Sequence, residues 1–280
     1  MFVGGRPCSA VRWGVVFLAS ASALLVSGGA ADAGSADTVV SYGFNPATQA
    51  DGTSTVLGSA GSASVQTSVV TANGGRLTTV SSRAAQGKAV QFPAFDSSAA
   101  GARAVIKVVN TTRNDELAPG DRDFSWSADF RLDGDSVSHA KGSHDNGNNL
   151  LQRGLYDDTQ FKLDADARRP ACRLRGSTGD AGAVRVLAPV AVAPDQWYNA
   201  TCTRSGNTLT VSVLAFDSAG NVTQQWTDSA TSTAGFGTVT WARPGTPLVI
   251  GGKLSATGSM VEKCSDQFNG AVDNVTLTFQ

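Results

Sequence analysis

Beyond residue 34 the apolar positions come in short alternating runs. Phe124-Ser-Trp-Ser-Ala-Asp-Phe130 alternates apolar residues with small or polar ones, the period of a half-buried strand. The same rhythm runs through 38–44, 103–109, 160–164, 171–175 and 183–187. Runs 197–203 and 208–214 flank Arg204-Ser-Gly-Asn207, a hairpin signal, and 248–250 and 272–279 close the series. No window carries a 3.6-residue apolar stripe with helix caps. Roughly a dozen strands spaced by Gly, Asn and Asp predict an all-β sandwich or barrel. Residues 45–64, rich in Gly, Ser, Thr and Ala, are expected to form a loop or weak edge, and the polar stretch 133–149 a solvated turn region. No repeat or clean linker interrupts the pattern, so 34–280 is expected to be one domain; a two-part alternative would divide near residue 115.

Residues 1–33 have the layout of an export signal. Arg6 and Arg12 precede or open an uncharged, mostly apolar run from Trp13 to Val26, and Ala31-Asp32-Ala33 puts small residues before Gly34. A membrane anchor needs about 20 apolar residues, more than this run offers. The expected product is a secreted chain, 34–280, with no membrane span. Of four cysteines, Cys8 lies in the leader, which leaves Cys172, Cys202 and Cys264. Export to an oxidising space favours a disulfide. The absence of any CxxC disfavours zinc. One cysteine is expected to be left over, free or bonded to another chain.

Composition narrows the function. With 41% hydrophobic and 16% charged residues over 280 positions, the chain can bury a core. A net charge of −1 gives no basic excess for nucleic acid. Two His exclude a His-rich metal centre. Arg outnumbers Lys 16 to 6, and Ala, Gly, Thr and Val abound, the bias of a GC-rich bacterial genome.

An ordered series of motifs runs from Asp121 to Phe279. It comprises Asp123-Phe-Ser-Trp-Ser-Ala-Asp-Phe130, Asn149-Leu-Leu-Gln-Arg-Gly154, Gln160-Phe-Lys-Leu163 and Cys172-Arg-Leu-Arg-Gly176. Then come Gln196-Trp-Tyr-Asn-Ala-Thr-Cys-Thr-Arg204, Pro247-Leu-Val-Ile-Gly-Gly-Lys253 and Phe268-Asn-Gly-Ala-Val-Asp-Asn-Val275. The series resembles secreted bacterial domains of the laminin G-like, concanavalin A-like lectin/glucanase superfamily. That resemblance implies a jelly-roll sandwich of two antiparallel sheets. It also implies a Cys172–Cys202 disulfide, because the family places those two strands close together. Many such domains hold one structural calcium, to which the last strand gives an Asp. Asp273 matches it, and Asn45 is the nearest match to a partner from the first strand.

The superfamily also contains polysaccharide hydrolases and lyases. A retaining glucanase needs two carboxylates on one strand face, about 5–5.5 Å apart. The only two Glu, Glu116 and Glu262, lie in no such motif. Asp133 with Asp135, and Asp164 with Asp166, fall in turn-rich segments and are expected at the solvated surface. His139 and His144, near Arg153 and Tyr156, are the one cluster with a lyase-like composition, and a solvent-exposed His pair is the plainer expectation. No Gly-x-Ser-x-Gly elbow is present. Glycan stacking needs exposed aromatics, for which Tyr156, Trp226 and Trp241 stand available beside the Asn146-Gly-Asn-Asn149 loop. The favoured expectation is a non-catalytic module binding carbohydrate or cell envelope. The alternatives are an enzyme of the same fold and an adhesion domain acting through protein contacts.

Overall fold

The computed structural model describes residues 36–44, 60–83, 87–136, 143–243 and 245–280. Fifteen strands run through them: β1 (Asp37–Tyr42), β2 (Val65–Ala72), β3 (Thr78–Ser81), β4 (Lys88–Gln91), β5 (Arg103–Asn110), β6 (Phe124–Leu132), β7 (Asn149–Arg153), β8 (Gln160–Asp164), β9 (Ala171–Arg175), β10 (Val184–Leu187), β11 (Trp197–Ser205), β12 (Thr208–Phe216), β13 (Val222–Thr231), β14 (Leu248–Ile250) and β15 (Gly270–Phe279). They form two antiparallel sheets packed as a jelly-roll sandwich. One has eight strands in the order β13-β12-β11-β6-β15-β4-β3, with β1 also on β15; the other has seven, β10-β9-β8-β7-β14-β5-β2. Both sheets mix strands from before and after residue 115. The expected export leader and Asn45 lie outside the described residues.

Alternation decides what enters the core. In β6, Phe124, Trp126, Ala128, Phe130 and Leu132 are buried, while Ser125, Ser127 and Arg131 stay partly open. Trp126 meets Phe161 of the opposite sheet at 5.2 Å between ring centres, and Phe124 lies 5.6 Å from the same ring. Truncating such a fully buried aromatic costs about 3–5 kcal/mol. Cys172 of β9 and Cys202 of β11 form a disulfide with Cα atoms 5.6 Å apart, joining the two sheets. Cys264 is disulfide-bonded as well, which corrects the expectation of a leftover thiol. That expectation counted only the cysteines after residue 33.

Five strands escaped the sequence pattern. β7 is buried at all five positions and so shows no alternation. β3 and β4 have only four residues each, and β2 is partly open on both faces. β13 is an edge strand, polar and exposed along most of its length; Trp226 and Ala230 alone pack against the core. An edge strand with little buried surface loses the alternation that marks a half-buried one.

Candidate ligand-binding face

On the inner side of the seven-stranded sheet, Leu151, Phe161, Leu163, Cys172 and Leu174 fill the core. The pleat turns their neighbours outward. Strand register then lines up Val249, Gln152, Lys162, Arg173 and Arg185 as one row across β14, β7, β8, β9 and β10. A hairpin bridged at Leu254 and Met260 folds back over one half of this face, where Leu254 packs on Val105 and Val249. Beside the hairpin opens a shallow cleft. Gln152, Asp158, Thr246, Ser255 and Val249 are among its walls.

The β7–β8 turn forms the rim of this cleft. Gly154 sits at φ +79°, and a Cβ there would collide with the Thr159 carbonyl and the Trp241 indole nitrogen. Only glycine fits that close approach. The turn it permits lifts Tyr156 outward, 48% exposed. The Arg173 guanidinium covers one side of the Tyr156 ring at 4.2 Å from its centre. It also donates to the Gln160 side chain and, at 3.4 Å, to the Tyr156 carbonyl. Arg173 has no carboxylate partner within ion-pair distance among the described residues.

Of the three aromatics expected as sugar platforms, only Tyr156 is open. Trp241 is buried, donates its indole N–H to the Thr159 carbonyl at 2.8 Å, and carries the Arg153 guanidinium at 4.0 Å. Trp226 lies half-buried on β13 in the other sheet. The lyase-like cluster is not assembled. Arg153 is buried on Asp115 through two bonds of 2.7 and 2.8 Å. His144 Nδ1 instead meets the Glu262 carbonyl at 2.7 Å, and His139 lies outside the described residues.

The carboxylates also differ from expectation. Asp164 is 1% exposed, not a surface group, and bonds Lys162 at 3.2 Å and Arg185 at 3.1 Å. Burial works to raise its pKa, but the two cations outweigh it and hold the carboxyl below the ordinary range. Burial, then the charge of Asp164, pushes Asp166 the other way. Burial opposes the Lys162 ammonium, yet the surrounding carboxylates keep it strongly protonated. Asp266 is held by Lys253 at 2.9 Å. In the polar stretch before β7, Asp145, Asn148 and Asn149 are likewise not solvated, all being at most 1% exposed, whereas Gly134 and Asp135 are exposed.

On the far sheet, Asp273 of β15 faces Asp129 of β6. Asp273 accepts from the Ser82 hydroxyl and, at 2.8 Å, from the Asn274 backbone N–H. Asp129 accepts from Arg83, Asn199 and Asn274, each at 2.8 Å. Burial raises the Asp273 pKa to about 6, against the pull of those donors. Calcium takes six to eight oxygens. Here both carboxylates spend their oxygens on protein N–H and O–H groups, with a guanidinium at hand. The described residues around Asp273 do not fit a calcium ion.

No protein-family model matches the chain, and no curated protein matches it in sequence. Solved structures do match in fold. The botulinum neurotoxin serotype D binding domain aligns at TM-score 0.51 and 10% identity, over 86% of this chain and 47% of that one. The laminin α2 LG1-3 region aligns at 0.41 and 12% identity, over 56% and 27%. The Ruminococcus gnavus sialidase CBM40, bound to α2,3-sialyllactose, aligns at 0.38 and 13%, over 56% and 75%. The chain thus spans less than half the length of the toxin and laminin chains. At these identities the likeness is one of fold: a two-sheet antiparallel β-sandwich.

Proposed function

We propose that this protein is a secreted, non-catalytic module that binds a polysaccharide or cell-envelope glycan on the outer face of the seven-stranded sheet. The observation that carries this is Tyr156, an open aromatic ring braced by Arg173 on the β7–β8 turn, whose neighbours Leu155 and Asp158 line a shallow cleft. Sugar rings present apolar C–H faces that stack on such a ring. Asp158, Thr246 and Ser255 supply hydroxyl-binding groups on the walls of the cleft. Among the described residues the exposed large hydrophobics are Tyr156 and Val222 alone, far from the broad apolar patch a protein-docking surface uses. The non-catalytic reading rests on Asp164 and Asp266 being ion-paired and on Asp166 bonding the Asn148 N–H at 2.9 Å. Secretion is favoured by the leader pattern of residues 1–33 and by the disulfide between the sheets.

The test is retention of the purified chain on a panel of insoluble polysaccharides and isolated cell walls, beside Tyr156→Ala. Retention on one polymer that the variant loses supports the proposal. Retention on none moves the function to a protein partner.

A further inference from the structure

Asp266 stands between two segments that are far apart along the chain. The Asn149 backbone N–H, at the start of β7, donates to the Asp266 carbonyl at 3.1 Å. The Lys253 backbone N–H, just after β14, donates to the Ser265 carbonyl at 2.9 Å. Ser265 and Asp266 are consecutive, so the two bonds clamp Asn149 and Lys253 against one dipeptide. The strands themselves bring the same segments together a second time. Ile250 of β14 lies opposite Leu151 of β7, and the Gly251 N–H donates to the Leu150 carbonyl at 3.1 Å.

The side chains meet as well. Lys253 Nζ donates to Asp266 Oδ2 at 2.9 Å, and Asn149 Nδ2 donates to that same oxygen at 3.3 Å. An amine and an amide nitrogen thus share one carboxylate atom. Asn149 is 0% exposed, and its Oδ1 is buried without a hydrogen-bond partner. The amide orientation is forced, because Nδ2 also donates to Gln152 Oε1 at 2.6 Å, and turning it over would set oxygen against two acceptors. The Lys253 and Asp266 side chains keep only 20% and 14% of their surface open. Asp266 holds φ at +48°, in the left-handed region that an L-residue keeps only where its surroundings fix it.

We propose that Lys253 and Asn149 become joined by an isopeptide bond, Nζ to Cγ, with Asp266 relaying the protons. An ammonium is not a nucleophile, and the contact with Oδ2 gives its proton a place to go. The freed amine attacks Cγ. The Nζ–Cγ bond forms, and the carbonyl π pair moves onto Oδ1. Asp266 then passes its proton to Nδ2, the nitrogen already on its oxygen. The Oδ1 pair re-forms the carbonyl as the Cγ–Nδ2 bond breaks, and ammonia leaves with the electrons of that bond. Asp266 takes the surplus proton from Nζ and gives it to the departing ammonia, which leaves as ammonium. The carboxylate is regenerated, and the new amide N–H still faces it. No oxidant, metal or second substrate enters. Burial of Asn149 keeps water from competing for Cγ. Holding both reactants on one oxygen makes the amidation intramolecular, an advantage that reaches about 10⁵–10⁸ M in effective concentration for well-oriented groups. The product fastens the start of β7 to the chain beyond β14, within the sheet whose β9 carries the disulfide to the opposite layer.

The experiment is intact-mass spectrometry of the purified full chain, reduced and alkylated after overnight incubation in mildly alkaline buffer, with a tryptic digest in parallel. The expected result is a mass short by one ammonia. The digest is expected to hold a branched peptide that joins the Lys253 segment to the Asn149 segment, with no cleavage after Lys253. Lys253→Arg keeps a cation for Asp266 but has no amine to give, so it is expected to keep the full mass and to melt about 5–15 °C lower for want of the cross-link. Asp266→Asn keeps both reacting groups, removes the relay, and is expected to keep the full mass. The proposal is overturned if the wild-type digest holds Lys253 and Asn149 only in linear, unmodified peptides. It is equally overturned if Lys253→Arg still loses the ammonia, which would place the loss at another asparagine, or if Asp266→Asn forms the branched peptide. Should either variant fail to fold, the wild-type digest decides by itself.

Discussion

The Arg173 guanidinium lies 4.2 Å from the centre of the Tyr156 ring and holds one side of it, while the ring stays 48% exposed. A cation against an aromatic face contributes about 0.5–1 kcal/mol at an open site. Its larger effect is to fix an otherwise free side chain.

Two substitutions separate stacking from bracing. Tyr156→Ala is expected to reduce polymer retention at least tenfold and to lower the melting temperature by no more than about 2–4 °C, the share of the lost stack on Arg173. Tyr156→Phe keeps the ring and is expected to retain most binding. Depletion assays on whichever polymer retains the wild type check both; equal loss in the two variants would assign the contact to the hydroxyl rather than the ring.

Arg153 has a structural role and a measurable one. Its side chain is fully buried, and Asp115 is its carboxylate partner. Asp115→Ala strands that guanidinium and is expected to cost about 3–5 kcal/mol, read from urea unfolding. Adding Arg153→Met removes the stranded charge, so the double variant is expected to be more stable than Asp115→Ala alone. A double variant that is weaker still would mean the stack on Trp241, not the ion pair, holds this corner.

The Cys172–Cys202 bond closes a separation of 30 residues between the sheets. Replacing both cysteines by Ala is expected to lower stability by about 3–4 kcal/mol in the chain-entropy model. Denaturant midpoints of the oxidised wild type and the double variant measure it; a difference below about 1 kcal/mol would show that the unfolded chain is already constrained.

Asp273 gives a pH dependence of definite sign. Its folded pKa is raised to about 6, so the native state binds a proton more tightly than the unfolded chain. The resulting penalty is fully present above pH 6 and fades as the pH falls toward the ordinary carboxylate range. Relative to Asp273→Asn, the wild type is expected to gain roughly 1–3 kcal/mol between about pH 7.5 and about pH 4.5. Parallel denaturation curves at the two pH values check it, and a gain in the opposite direction would place an attractive charge beside Asp273.

The sandwich was legible wherever one strand face is buried and the other is wet, as in β6, β11 and β12, whose alternation is nearly unbroken. It was not legible in β13, whose ten residues stay mostly exposed. The site was harder to see for a different reason. Lys162 and Arg173 stand in strands that the pattern does mark, but their alignment is a matter of register between β8 and β9. The polar loop before β7 looks solvated because its buried partner, Asn269, stands 121 residues from Asn148 along the chain. Composition alone does not reveal that such groups are clamped to one another. Tyr156 was among the aromatics singled out, and burial alone separated it from Trp241.

Asp37 of β1 is the register partner of Phe279 of β15, in the eight-stranded sheet. The first and last strands of the sandwich thus start and stop at a single point, on the layer opposite Tyr156. A tether attached at either end, natural or engineered, would leave from that layer. A fusion partner joined there would leave from the strand ends of the eight-stranded sheet, on the layer that does not carry Tyr156.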